Sequence, residues 1–212
     1  MVLTLVITTL LAMVPADNPE MSGEEIESLI ENLASPNKSP TAQGTPEGYD
    51  RDAQKRVMAS WLKLRDAGIQ AFPYLLKHGD DRRYSFTKRT NWSVRDACVG
   101  VIRSHLQPFG YRNYEILPGD HHMYRLPQSY AVRHKLTVPT EAAKWWAARQ
   151  HKTLLELQIE VIEWTIAEEA KNPDRYSEKD RAYLNGFLEK ARKADRPLPP
   201  SDPFSWKSNS RL

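Results

Sequence analysis

The chain has 212 residues, 40% hydrophobic and 27% charged, with a net charge of +3 and a mean hydropathy of -0.63. That length suits one sizeable domain, and that polarity excludes an integral membrane bundle. One cysteine excludes an internal disulfide framework and any multi-cysteine zinc or iron–sulfur site.

Residues 2–14 carry no charge, and Val14-Pro15-Ala16 sets small residues just ahead of the polar Asp17-Asn18-Pro19-Glu20. This is the pattern of a signal-peptide apolar region and cleavage site over 1–16, although no Lys or Arg precedes it. It predicts export to the periplasm or the extracellular space, with no cysteine after the site to accept a lipid. The stretch is shorter than the roughly 20 residues a membrane span needs, so no stable span is expected in the mature chain. Charge is uneven beyond it. Residues 17–50 hold eight acids and one lysine, residues 51–135 sixteen bases and seven acids, and residues 136–212 thirteen bases and twelve acids. The basic middle suits an anionic partner, or the acidic arm can fold back on it.

Ser22-Gly-Glu-Glu25 is a capping box. It opens a helix whose Ile26, Leu29, Ile30 and Leu33 recur at helical spacing. The Pro-rich stretch from Ser35 to Gly48 is a linker completing the acidic arm, 17–49. A helical domain is expected over 50–195. Its first helix runs from Asp50 to Ala67, with Ala53, Val57, Trp61 and Leu64 on one face, and Gly68 stops it. A shorter helix over 69–78 follows, tolerating Pro73 in its first turn. After the basic insert Arg82–Trp92, Ser93 caps a helix to His105, and Cys98 falls on its inward stripe as a small buried hydrophobe.

These residues carry a resemblance. Trp61-Leu-x-Leu, Gly68, Ala71, Pro73, Leu75-Leu76 and Asp80-Asp81, then Val94-Arg95-Asp96-Ala97-Cys98, resemble the HEAT-repeat pattern over 50–106, about one and a half units. The resemblance implies a mainly α, HEAT-like antiparallel helix stack or bundle that binds or scaffolds.

Residues 107–138 are irregular, interrupted by Pro108, Gly110, Pro118, Gly119 and Pro127. Short strands are expected at 111–117 and 130–136, the latter from its alternation. Thr140 should cap a helix to Gln150, and Thr153-Leu-Leu-Glu156 is a second capping box. The helix it opens, 153–171, has two apolar stripes. One is Leu154, Leu157, Val161 and Trp164; the other is Leu155, Ile159, Ile162 and Ile166. Such a helix must be packed on two sides. Lys171-Asn172-Pro173 ends it, Ser177 caps a last helix to about Lys193, and the Pro-rich tail, 196–212, is expected to be loose.

Candidate sites are few. Arg82, Arg83, Lys88 and Arg89, interleaved with Tyr84 and near Trp92, form an anion-facing insert expected to project from the helices. Asp120, His121 and His122, with Glu115, His105 or His134, offer oxygen and imidazole donors to a divalent metal. The triplet is similar to one element of a phosphoesterase signature whose further separated Asp and His motifs are absent. No phosphate-cradling glycine loop, Gly-x-Ser-x-Gly elbow or Cys/His nucleophile pair occurs. Trp145-Trp146 at helical spacing should turn one ring to the core and its neighbour about 100° away. The expectation is an exported, non-enzymatic interaction or scaffold module with an unidentified protein partner and no cofactor. Its contact surface would be the insert, 82–95, with 107–138. The alternatives are a metal-dependent hydrolase at Asp120, His121 and His122, or a cytosolic anion- or nucleic-acid-binding protein if residues 1–16 are retained.

Overall fold

The computed structural model describes residues 21–87, 91–109, 130–171 and 178–201. The expected signal segment 1–16, Lys88, Arg89, Glu115, the strand expected at 111–117, the Asp120-His121-His122 triplet, the expected Ser177 cap and residues 202–212 lie outside them.

Helix α1 (Gly23–Glu31) starts at the reciprocal capping box of Ser22 and Glu25. Ile26 and Ile30 on α1 and Leu33 just beyond it are each no more than 1% exposed, a burial worth roughly 2 kcal/mol apiece. They share one core with α2 (Arg51–Asp66), so the acidic arm is part of the domain and not an appendage to it. Asp50 caps α2 by accepting the amides of Asp52 and Ala53. At its other end Gly68 takes a left-handed φ of 68°, a conformation open to glycine at no steric cost. The helix expected over 69–78 is instead a staircase: a 3-10 turn (Gly68–Ala71), a single α turn, α3 (Phe72–Leu75), and another 3-10 turn (Leu76–His78). Pro73 sits in the first turn of α3, where its missing amide costs nothing.

The described part of the basic insert is packed onto the helices. It forms an antiparallel hairpin of β1 (Tyr84–Thr87) and β2 (Asn91–Ser93), lashed down on both sides. Gln54 of α2 donates to the carbonyl of Ser85, the Ser35 amide donates to that of Tyr84, and the Asn91 side-chain amide donates to that of Pro40. The 35–50 segment therefore works as a brace for the hairpin as well as a linker. Ser93 then caps α4 (Val94–Leu106), reciprocally with Asp96. Helix α4 is buried along most of its length: Val94, Ala97, Cys98, Val101 and Ile102 are all fully inside. Trp61 of α2 donates its indole N–H to the carbonyl of Ala97, and the ring of Trp92 lies over Gly100.

Residues 130–136 are helical where a strand was expected. Helix α5 (Tyr130–Arg133) is one turn, closed by bonds from the Leu136 amide to Ala131 O and from the Lys135 amide to Val132 O. That is a Schellman closure, and Lys135 occupies its left-handed position with φ 51°. Next comes α6 (Pro139–Ala147). Its N-cap is Val138, with Pro139 in the first turn, and Thr140 makes no cap bond; a proline already preset to helical φ takes the role expected of the hydroxyl.

Helix α7 (Leu154–Ala170) opens at the Thr153–Glu156 box and is packed on two sides. Leu157 and Val161, with Leu154 and Trp164, join the main core; Ile162, with Leu155, Ile159 and Ile166, meets α8 (Glu178–Lys193) in a second cluster with Phe187, Leu188 and Ala191. Residues 194–201 run back across α4 and α7, so the described part of the Pro-rich tail is fastened, not loose. Gln158, fully buried, donates to the carbonyls of His105 and Leu198 and accepts the Leu198 amide, while the Ser201 amide donates to Ser104 O. The chain is mainly α. Among the described residues no helix is long and apolar enough to cross a membrane.

Candidate functional site

The anion-facing insert is largely committed within the fold. Arg83 makes a two-pronged pair with Glu31 of α1 (2.8 and 3.1 Å) and three contacts with Asp81 (2.6–3.1 Å). The hydrogen bonds from Arg83 hold both carboxyls below their usual range. Glu27 of α1 likewise reaches His78 at 3.1 Å and Lys77 at 3.8 Å. The acidic helix thus neutralises part of the basic middle. Tyr84 is half-buried with its hydroxyl within 3.0 Å of those of Tyr49 and Thr87. Trp92 is half-buried against Phe86, and Arg82 is exposed.

Of the histidines considered as metal ligands, His105 is buried on α4, its Nε2 donating to the carbonyl of Arg65 at 2.6 Å. Burial holds its imidazole below the usual range, against that hydrogen bond. Among the described residues no three His, Cys, Asp or Glu side chains gather where they could hold a metal ion. Cys98 is fully buried, and burial pushes its thiol far up, out of reach of thiolate chemistry at neutral pH.

A different place brings charge and rings together. The end of α5 and the outer face of α6 enclose a groove of about 290 Å³, lined by Arg133, His134, Lys135, Glu141, Lys144, Trp145 and Arg149. Behind its His134 and Trp145 lies an aromatic cluster. Tyr130, only 1% exposed, is ringed by His134 (centroids 4.2 Å apart), Trp164 (5.3 Å, edge-on) and Trp145 (6.2 Å, edge-on).

The cluster is fixed by Glu160 of α7. Its Oε1 accepts the Tyr130 hydroxyl at 2.6 Å and the Arg149 Nε at 2.8 Å; its Oε2 accepts Lys152 at 2.7 Å. Burial works against this carboxylate, yet the hydrogen bonds from Lys152, Tyr130 and Arg149 hold it ionised with a pKa of about 2. Tyr130 accepts in turn from the Trp145 indole N–H at 3.1 Å, and the Arg149 guanidinium lies 5.3 Å over the Trp145 ring. Each group is held by a neighbour, so the cluster is set before anything binds.

The rim is basic. Lys144 pairs with Glu141 at 2.9 Å and Arg149 with Glu160; Arg133 and Lys135 extend from the α5 end, both exposed. Four bases against the one acid of the lining give a positive field beside the Trp145 ring. A left-handed lysine at the rim costs of order 1 kcal/mol relative to glycine, a kind of strain that gathers at functional positions.

In the sequence His134 stands as a possible ligand beside the Asp-His-His triplet and Trp145 as half of an aromatic pair, neither joined there to the remaining lining residues. Two local signals were present: the run Arg133-His134-Lys135, and Trp145 with Arg149 four residues on, the spacing that lays a guanidinium on an indole within one helix. No family model matches the chain, and neither a curated protein nor a solved structure matches it.

Proposed function

We propose that the chain is an exported, non-enzymatic interaction module of HEAT-like helix packing, which captures an acidic segment of a partner protein in the groove between α5 and α6. What carries this reading is the groove itself, a lining with bases in excess backed by a firmly held aromatic cluster. Such a surface offers an acidic partner favourable field and apolar contact together, with little ordering cost on its own side. In the insert at 82–95, Arg83 is taken up by Glu31 and Asp81 and Arg95 pairs with Asp96, which leaves the exposed Arg82 among its described arginines. Export rests on the apolar segment 2–14 and the small residues before Asp17.

Titration calorimetry with hexaglutamate tests the binding half. The wild type should bind, and Arg133→Glu with Lys135→Glu should weaken binding at least about tenfold while circular dichroism is unchanged. Equal affinity in the double variant removes the groove from the reading. Mass spectrometry of the native protein's first residue tests export; a chain starting near Asp17 is expected, and an intact Met1 contradicts it.

A further inference from the structure

His134 differs from every other group in the groove. It ends α5 with its ring stacked on Tyr130 and 6.2 Å from Trp164, and its Nε2 is buried without a hydrogen-bond partner. A buried polar nitrogen left unsatisfied costs about 1–3 kcal/mol. An orphaned buried nitrogen of this kind calls for an explanation in what binds or titrates beside it.

The charges around it, among the described residues, come from three elements. The α5 end supplies Arg133 and Lys135, and α6 with its following turn supplies Glu141, Lys144 and Arg149. Helix α7 supplies Glu160, which also holds Lys152 and the neutral Tyr130 hydroxyl. Burial first, then the charges of Arg149 and Arg133, outweigh Glu160 and keep the imidazole below its ordinary range, hence neutral at pH 7. An arriving carboxylate inverts this balance. It supplies a negative charge beside the ring, and a carboxylate within about 4–6 Å raises a histidine by roughly one to three units.

Building on the binding reading above, we infer that the partner's Asp or Glu carboxylate docks on the rim beside the His134 imidazole, between Arg133 and Lys135, and that His134 takes up one proton from solvent as it docks, so that acidification tightens capture. The carboxylate stays ionised, no covalent bond forms or breaks, and His134 and the carboxylate end as an ion pair flanked by Arg133 and Lys135. His134 is then the specificity-determining residue of the groove.

The test is hexaglutamate calorimetry at constant ionic strength between pH 7.8 and 5.8, repeated in buffers of different ionisation enthalpy. Glutamate side chains are ionised throughout that range. The wild type should bind about tenfold more tightly at pH 5.8 than at pH 7.8, with uptake approaching one proton. His134→Phe, which keeps a ring against Tyr130 and Trp164, should fold, bind more weakly than the wild type at pH 5.8, and lose both the pH dependence and the proton uptake. His134→Gln, which restores a donor without a titration, should behave alike. Wild-type binding without pH dependence overturns the inference and leaves the binding reading standing. Proton uptake persisting in His134→Phe also overturns it. Absence of hexaglutamate binding at every pH overturns both.

Discussion

Replacing Glu160 with Gln removes one charge from the cluster behind the groove and nothing from its volume. In the folded chain the carboxyl titrates at about 2 against an ordinary 4.5. A depressed carboxyl stabilises the fold above its unfolded value, and that contribution fades as pH falls towards the folded value. About two and a half units at roughly 1.4 kcal/mol each give about 3 kcal/mol at pH 7. The side chain is 23% exposed, sheltered enough for most of that to survive solvent screening. The three hydrogen bonds it accepts, each worth about 1.5 kcal/mol when one partner is charged, reach a similar figure. Urea unfolding followed by tryptophan fluorescence suits the measurement, because Trp145 and Trp164 flank Tyr130, whose hydroxyl bonds Glu160. Wild type should exceed Glu160→Gln by about 3 kcal/mol at pH 7 and by about half of that at pH 3. A gap under about 1 kcal/mol at pH 7, or one that stays constant down to pH 3, refutes Glu160 as the electrostatic anchor.

Three further outcomes are expected. Gln158→Leu strips the partners from the His105 carbonyl and both backbone groups of Leu198, so it should cost about 3 kcal/mol in urea unfolding and speed proteolytic cutting within 194–201. A Cβ on Gly100 would lie 2.6 Å from the Trp92 ring, so Gly100→Ala should cost about 2 kcal/mol; a double-mutant cycle with Trp92→Leu should return a favourable coupling of at least about half that. Lys135→Gly relieves the left-handed φ and should raise stability by about 1 kcal/mol in thermal melts, while reducing affinity for hexaglutamate.

Much of the helical fold was legible because its signals are local. Ser22, Ser93 and Thr153 cap the helices their spacing announces, and the two stripes of α7 separate into the two cores they imply. Elsewhere distant partners decided. Over 130–136 the alternation of Ala131, Arg133 and Lys135 with Val132, His134 and Leu136 reads as a strand, but seven residues cannot separate a pleat from a single helical turn by periodicity. The outcome turns on Tyr130, whose hydroxyl is received by Glu160, thirty positions later. The Pro-rich segment after 196 looked loose because Gln158, which holds it, lies 40 positions earlier. The groove was hidden for the same reason: its rim was visible as charges, but their convergence depends on how α5 meets α6.

The seam at Gln158 also has a consequence for biosynthesis. His105, Gln158 and Leu198 close on one another across separations of 53 and 40 residues. A ribosome must therefore deliver residues near 200 before this part of the interior is sealed from water. Until then α4 and α7 present a bare polar notch and the neighbouring apolar side chains, a state that chaperones can hold and proteases can attack. Completion of this part of the fold thus waits for Leu198 and Ser201 to reach Gln158 and Ser104.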